Sequence, residues 1–159
     1  MQKEISSESR IRFSDCDPIG HLNNVKYLEY MLNAREDHVE SGYGFTYEEY
    51  TRKTGCTWIT IQNEIAYLKE VRYNAKVLIS SKTIEVGDRL SKVEILMKSA
   101  DGKTIHSVLW MSVIYFNMKT RKSEVHPVDT KRLFERFLVD LKEKDFKSRV
   151  SHFRKQNKK

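Results

Sequence analysis

The stretch DCDPIGHLNNVKYLEY, residues 15–30, combines a pair of acids with a turn and the start of a helix. The first N–H groups of a helix have no partner within the helix and form the positive end of its dipole, so they can stabilise an oxyanion. Asp17, seven residues before Asn24, can reach the same place as a general base or a nucleophile. Together these features are the minimum for hydrolysing an activated ester.

The type of ester follows from the strength of the acid. A carboxylate is a weak base and a weak nucleophile, so it suits a substrate with a good leaving group, such as a thioester. The sequence contains no G-x-S-x-G motif and no evident Ser-His-Asp arrangement that would attack an amide. Its five histidines, at positions 21, 38, 106, 126 and 152, lack H-x-x-x-H spacing, so we expect no bound metal.

Local sequence features place this turn between a strand and a helix. Residues 4–13 alternate loosely, which predicts a first strand. Pro18 removes a backbone donor and Gly20 permits a positive φ, so the chain must turn there. A helix is predicted over residues 24–40, with one of the two asparagines before Val25 as its N-cap. Apolar residues cover most of its circumference, which indicates a helix buried on most sides.

Four long alternating segments follow a loop or short helix at residues 43–56. They are predicted as strands over residues 57–68, 75–86, 90–99 and 103–117, joined by turns of which Asp101-Gly102 is the strongest. A terminal helix is predicted from Pro127 to about residue 144. We therefore expect an α+β fold, in which a curved antiparallel sheet wraps a central helix and a C-terminal helix follows. Because such a sheet leaves edge strands, a homodimer is the natural expectation.

Length and charge limit the organisation of the chain. Its 159 residues suit a single domain, assigned to residues 1–147, and most of the formal net charge of +7 lies in residues 142–159. Residues 148–159 are therefore predicted to be a basic, flexible tail, for which binding of nucleic acid is the less favoured role. No apolar run approaches the roughly 20 residues that cross a bilayer, so we expect a cytoplasmic protein without membrane contact.

The segment RFSDCDPIGHLNNVKYLEYMLNAR resembles the D-x-D-x-x-G-H pattern of the hotdog-fold thioesterases of the 4-hydroxybenzoyl-CoA thioesterase family. Its HLNNVKYLEY portion is also similar to the fatty acyl-ACP thioesterases. At the level of pattern the resemblance extends over about residues 8–140. It implies a hotdog fold, an acyl-CoA substrate, no cofactor apart from the coenzyme A of that substrate, and a homodimer or homotetramer with its site at the dimer interface.

The resemblance assigns roles to residues of the turn. Asp17 matches the catalytic acid, and backbone N–H groups near the helix start would polarise the thioester carbonyl. His21 matches a histidine that lies near the catalytic group in the acyl-ACP enzymes. Those enzymes have an asparagine where this chain has Ile19, so the match favours Asp17 with backbone donors and makes His21 a helper.

Five further residues are candidates for substrate binding. Arg89 and Ser91, in the turn GDRLSK, match a basic turn that contacts phosphate of coenzyme A in the family, and arginine suits phosphate through its planar fork. Asn24 could assist the oxyanion, although helix capping also explains it. Tyr27 and Trp58 could line the acyl pocket, and core packing explains them equally well.

Several alternatives stay open at this point. Asp17 can activate a water or attack the carbonyl to give a mixed anhydride. For Asp15 a structural role in the turn is favoured, and Cys16 has no evident paired base. The predicted function is hydrolysis of acyl thioesters, with acyl-CoA as substrate. The alternatives are a hotdog module that binds acyl-CoA without cleaving it, an acyl-ACP thioesterase, and an interaction protein that uses the basic tail on nucleic acid or an acidic surface.

Overall fold

The computed structural model describes residues 1–159. Its helices and strands follow the predicted order, with a short strand and a final helix added after the fifth strand. The strands are β1 (Ile5–Arg10), β2 (Cys56–Tyr67), β3 (Lys76–Val86), β4 (Leu90–Ser99), β5 (Ile105–Asn117) and β6 (Lys122–Ser123). The helices are α1 (Asn24–His38), α2 (Tyr47–Thr54), α3 (Val128–Phe137) and α4 (Phe146–Asn157). A 3-10 turn at Phe13–Asp15 precedes α1, and a π-helical turn at Val39–Tyr43 extends it. None of these helices has the length and apolar composition needed to span a bilayer.

All strands belong to one antiparallel sheet with the order β1-β3-β4-β5-β2, and β6 pairs with β5. The predicted turn at Asp101-Gly102 joins β4 to β5, and Gly102 has a φ of 75°, which favours glycine. The sheet curls around α1, as predicted. The helix buries one face rather than most of its circumference, since Val25 is 71% exposed and Glu29, Asn33 and Glu36 are exposed as well. The α+β hotdog architecture expected from the sequence is therefore confirmed.

Alternate residues of β3, β4 and β5 face α1 and form the main hydrophobic core. Tyr27 and Met31 of α1 are almost fully buried there. The sheet residues around them are Val77, Ile79, Val93, Ile95, Met97, Leu109, Met111 and Val113. Their spacing of two along each strand is the alternation read in the sequence, and their removal from water is the main stabilising contribution to the fold.

The outer face of the sheet is covered by residues predicted to form a flexible tail. Residues 148–157 lie instead within α4, and Phe153 packs there with Leu96 and Trp110. Helix α3 ends at Phe137 rather than near residue 144. The carboxylate of Asp145 then accepts a hydrogen bond from the N–H of Ser148 at 2.8 Å and caps the new helix. The basic end of the chain is thus an ordered part of the domain.

A buried carboxylate explains why α4 packs on this face. Glu94 is fully buried, and it accepts hydrogen bonds from Trp110 Nε1 at 2.8 Å and from Arg149 Nε and Nη2 at 2.8 and 2.7 Å. Lys82 Nζ lies 3.2 Å away. Burial raises the pKa of Glu94, but the hydrogen bonds from Arg149 and the charges of Lys82 and Arg149 outweigh burial and hold that pKa below its ordinary value. A buried carboxylate needs such partners, and α4 supplies one of them.

A second polar network lies on the other face of the sheet, which contacts α1. It joins α1 to the neighbouring strands β1 and β3. His38 is 1% exposed, and its Nδ1 lies 2.7 Å from Ser81 Oγ and its Nε2 lies 2.8 Å from Ser7 Oγ. Arg35 Nη1 donates to the same Ser81 hydroxyl at 3.0 Å. Burial, and after it the charge of Arg35, lower the pKa of His38 to about 4. At neutral pH the imidazole is therefore uncharged.

Replacing Arg149 with methionine should lower the free energy of unfolding by about 3 kcal/mol, because Glu94 then stays buried with a single cation. The measurement is guanidinium chloride unfolding followed by tryptophan fluorescence. Arg154→Met is the matched control, since Arg154 is exposed on the same helix, and it should change the free energy by less than about 0.5 kcal/mol. Equal effects of the two substitutions would contradict the role assigned to the Glu94–Arg149 pair.

The lowered pKa of His38 should make part of the stability depend on pH. Between about pH 6.5 and about pH 4 the unfolded chain binds a proton at His38 that the folded chain does not bind, so folding becomes less favourable as the pH falls. The stability of wild type relative to His38→Gln should therefore decrease by about 2–3 kcal/mol over this interval. Chemical unfolding of both proteins across the interval measures it, and a difference that does not change with pH would refute the expectation.

Candidate functional site

Asp17 lies in a tight turn that its own carboxyl group holds together. Its side-chain Oδ1 accepts hydrogen bonds from the backbone N–H groups of Ile19 at 3.1 Å and His21 at 3.0 Å. The Asp17 N–H donates to the His21 carbonyl at 2.8 Å. Gly20 has a φ of 84°, a conformation that other residues adopt at a cost. One carboxylate oxygen is thus fixed by the turn, as in other Asx turns.

Asp17 lines a cleft of about 260 Å³. No protein group donates a hydrogen bond to Oδ2 of this carboxylate. The residues that line the cleft with Asp17 are His21, Leu22, Asn24, Tyr27, Tyr67, Leu68, Lys69 and Glu70. The cleft therefore contains a carboxylate whose position is fixed and whose second oxygen is free to act on a water or a carbonyl carbon.

Helix α1 begins at this cleft without a side-chain cap. Asn23 has the extended backbone of an N-cap residue, but its side chain accepts no hydrogen bond, so the expected capping by asparagine is not formed. The backbone N–H groups of Asn24 and Val25 have no acceptor within the protein. Asn24 and Asp17 both line the cleft, so the positive end of the helix dipole, with its unpaired N–H groups, and the carboxylate lie at the same cleft.

The side chain of His21 is oriented by a residue that sequence reasoning missed. Its Nδ1 lies 3.3 Å from the carboxylate of Glu70, and no hydrogen bond joins the imidazole to Asp17. Glu70 follows β2 and belongs to no recognisable motif, so only the three-dimensional structure brings it to the turn. A carboxylate beside an imidazole orients the ring. No group of three or more His, Cys, Asp or Glu side chains is arranged to hold a metal ion.

Two tyrosines form the wall of the cleft. The rings of Tyr27 and Tyr67 meet edge to face, with centroids 5.1 Å apart, and the Tyr67 hydroxyl donates to the Asn24 carbonyl at 3.1 Å. Burial raises the pKa of Tyr27, so its phenol is neutral. Tyr67 was also not selected from the sequence, where it appears as one more aromatic at the end of a strand.

Asp15, the other acid of the turn, points into the protein. Its Oδ2 accepts a hydrogen bond from the Tyr30 hydroxyl at 2.6 Å, and that hydroxyl accepts one from the Arg12 N–H at 2.9 Å. Burial and the bond to Asp15 raise the pKa of Tyr30 to about 12. The structural role favoured for Asp15 agrees with these contacts.

Trp58 and Ser91 lie away from the Asp17 cleft in the folded protein. Both line an apolar cavity of about 40 Å³ between the C-terminal half of α1, the sheet and α3. An open groove of about 380 Å³ along α1 and β2 adjoins this cavity, and Trp58 lines it as well. Neither the cavity nor the groove shares a lining residue with the Asp17 cleft.

Arg89 lies at the far end of the sheet. The Asp17 turn meets the sheet where His21 pairs with Arg72, just before the start of β3, and Arg89 follows the end of that strand. Strand β3 is about 33 Å long at the usual rise per residue. The Arg89 guanidinium donates to the Ser123 carbonyl at 2.8 Å. Within one chain the structure thus groups Asp17, His21, Asn24 and Tyr27, and separates them from Arg89.

Several solved structures are similar to this chain. The DHNA-CoA thioesterase from Staphylococcus aureus has a TM-score of 0.74 and 18% identity, over 84% of this chain and 89% of that one. A putative oleoyl thioesterase from Lactobacillus plantarum has a TM-score of 0.77 and 18% identity, over 89% of this chain and 54% of that one. A hypothetical protein from Staphylococcus aureus in complex with CoA has a TM-score of 0.73 and 15% identity, over 98% and 87%. At these identities the likeness establishes the fold.

The family is established by the sequence itself. Among curated proteins none matches this chain. The family model described as the thioesterase-like superfamily matches residues 11–148, a range that includes the Asp17 turn, α1, strands β2 to β6 and α3. Hydrolysis of acyl thioesters is the general class of activity that this family and fold indicate. The chain therefore belongs to the thioesterase-like superfamily.

Proposed function

We propose that this protein hydrolyses acyl-CoA thioesters in the Asp17 cleft. The proposal rests above all on one observation, the position of the Asp17 carboxylate at the same cleft as the uncapped start of α1. Two of the similar structures are described as a DHNA-CoA thioesterase and as a complex with CoA, which supports coenzyme A as the carrier. The free acid and coenzyme A are the products.

In the proposed mechanism the thioester carbonyl oxygen binds at the start of α1. The N–H groups of Asn24 and Val25 then donate to the oxygen as it becomes negative, and they need no rearrangement because nothing else in the protein occupies them. Oδ2 of Asp17 takes a proton from the attacking water, or itself attacks the carbonyl carbon. The tetrahedral intermediate collapses with loss of the coenzyme A thiolate. In the second route water then hydrolyses the mixed anhydride.

His21 and the tyrosines have supporting roles in this proposal. Glu70 holds the imidazole of His21 at the edge of the cleft, where it can position a water beside Asp17. Tyr27 and Tyr67 form an apolar wall against which the acyl group can pack. His21 acts as a positioning residue, in agreement with the sequence interpretation that made it a helper.

We further propose that the functional unit is a homodimer in which a second copy packs on the β2 edge. Ile59 and Ile61 on this edge are 38% and 53% exposed, and an unpaired strand edge readily accepts another strand. Arg89 lies at the opposite end of the sheet from Asp17. It can therefore contact coenzyme A bound at an Asp17 cleft only if that cleft belongs to another chain.

Asp17→Asn should lower kcat for acyl-CoA hydrolysis by at least about 10²-fold, because the amide can neither accept a proton nor attack the carbonyl. The amide oxygen can still accept the two backbone hydrogen bonds of the turn, so substrate binding should be retained. Asp15→Asn is the matched control and should keep most of the activity. A thiol-reactive dye measures release of coenzyme A. Near-normal turnover by Asp17→Asn would refute the assignment, and a wild type that binds acyl-CoA without releasing thiol would support a binding module.

The role of the helix start can be tested by removing a single N–H group. Proline is tolerated at the first position of a helix, and Asn23, with φ −65° and ψ 134°, already has the backbone that a following proline requires. Asn24→Pro should therefore preserve α1 but lower kcat by about 10²–10³-fold, the loss typical of one oxyanion donor. Asn24→Ala keeps the N–H group and should have a much smaller effect. Equal kcat values for the two variants would exclude this N–H as the oxyanion donor.

A further inference from the structure

Arg35 is a buried cation without a carboxylate partner. The residue is 4% exposed, and its guanidinium donates only to hydroxyl groups, those of Ser81 at 3.0 Å, Tyr43 at 3.1 Å and Thr83 at 3.3 Å. None of the ion pairs in the chain includes Arg35. Burying a charge is costly unless a counter-ion compensates it. The fold therefore maintains a positive charge that it does not neutralise itself.

None of the ionisable groups around this cation forms an ion pair with it, including Glu36, an exposed neighbour on α1 that lines the same groove. His38, on the next turn of α1, is uncharged at neutral pH because burial and the Arg35 charge lower its pKa to about 4. Arg35 contacts Ser81 and Thr83 of β3. Lys82 lies between these two residues in the strand, so its side chain is on the other face of the sheet, where it pairs with Glu4 and Glu94. The nearest buried carboxylates are thus separated from Arg35 by the sheet.

Arg35 borders both the apolar cavity of about 40 Å³ and the adjoining groove of about 380 Å³. Three of the five N–H groups of the guanidinium bond to protein hydroxyls, which leaves two without a partner. Ser91, 5% exposed, lines the same cavity, and its hydroxyl has no hydrogen-bond partner. Most of the remaining wall is apolar and includes Trp58, Met111 and Val113. The cavity thus combines unused hydrogen-bond donors and a positive charge with an apolar surface.

We propose that this cavity binds a carboxylate at the end of an apolar chain, so that the protein favours thioesters of ω-carboxy acids, which are dicarboxylic acids activated at one end. This inference rests on the proposed hydrolysis of acyl-CoA. The ω-carboxylate would accept hydrogen bonds from the two free N–H groups of Arg35 and from the Ser91 hydroxyl, and the methylene chain would pack on the apolar residues shared by the cavity and the groove, among them Trp58 and Met111. Charge-assisted bonds from arginine to a carboxylate are among the strong hydrogen bonds of proteins.

The spacing along α1 agrees with an elongated substrate. Arg35 is eleven residues after Asn24, which corresponds to about 16 Å along the helix axis. A thioester carbonyl at the helix start and a carboxylate at Arg35 would thus be separated by a chain of medium length. A short dicarboxylic acyl group could not reach both ends on the same helix.

Steady-state kinetics with three matched substrates tests the proposal: dodecanedioyl-CoA, its ω-methyl ester and dodecanoyl-CoA. Wild type should prefer dodecanedioyl-CoA in kcat/KM by at least about tenfold, mainly through a lower KM, which corresponds to about 1.4 kcal/mol. Arg35→Met should lose this preference and retain its activity on dodecanoyl-CoA. Arg132→Met, which removes an exposed arginine of α3, should keep the preference. A wild type that prefers dodecanoyl-CoA, or an Arg35→Met variant that still prefers the dicarboxylic substrate, would overturn the proposal.

Binding of free ligands separates this inference from the proposed function. Isothermal titration of wild type should show dodecanoate binding at least about tenfold more tightly than dodecanol, which has the same chain without a charge. Ser91→Ala removes only the unpartnered hydroxyl, so it should fold normally and bind dodecanoate more weakly than wild type does. Equal affinity of wild type for dodecanoate and dodecanol would reject the carboxylate site. Absence of thioester hydrolysis with all three substrates would instead reject the proposed function, and the titration would still decide the role of the cavity.

Discussion

The enclosure of α1 by a single antiparallel sheet is the constraint on which the other features of this protein depend. The face of α1 that the sheet covers includes two polar side chains, those of Arg35 and His38, and each buried polar group requires a partner. The hydroxyls of β3 serve this purpose for His38 and, in part, for Arg35. At its beginning the helix leaves the sheet, and there its N–H groups stay unpaired. The same helix thus packs apolar residues against the sheet along its middle, buries a cation in its second half and leaves N–H groups unpaired at its start.

In the turn before α1, the structural role of the Asp17 carboxylate is compatible with the chemical role proposed for it. Oδ1 of Asp17 closes the turn through two backbone hydrogen bonds, Oδ2 has no hydrogen-bond donor within the protein, and the residue lines the cleft. The hydrogen bonds that would explain Asp17 as an ordinary turn residue therefore also fix the orientation of the oxygen that would react. Asp15 illustrates the other case, because its contact with Tyr30 directs it into the protein.

Local patterns in the sequence were sufficient to predict the fold and the part of the candidate site that lies within one continuous stretch. Alternation placed β4 at residues 90–99, as observed, and the D-x-D-x-x-G-H stretch brought together Asp17, His21 and Asn24. Glu70 was not predictable, since it meets His21 only through the path of the chain after β2. The same limit applies to α4. In the sequence Arg149 is one of many basic residues near the C-terminus. Its partner Glu94 is 55 positions away, in a strand whose alternating pattern does not indicate burial on both faces, so their ion pair could not be predicted.

The packing of α4 on the outer face of the sheet also restricts how copies of this chain can assemble. Phe153 and Arg149 cover the middle of β4 and β5, where another sheet would have to stack. Stacking there would require α4 to detach and would leave the Glu94 carboxylate without its arginine. Two copies therefore cannot stack these faces of their sheets directly on each other while α4 is in place. The last helix of the chain thus acts as a steric limit on oligomer geometry.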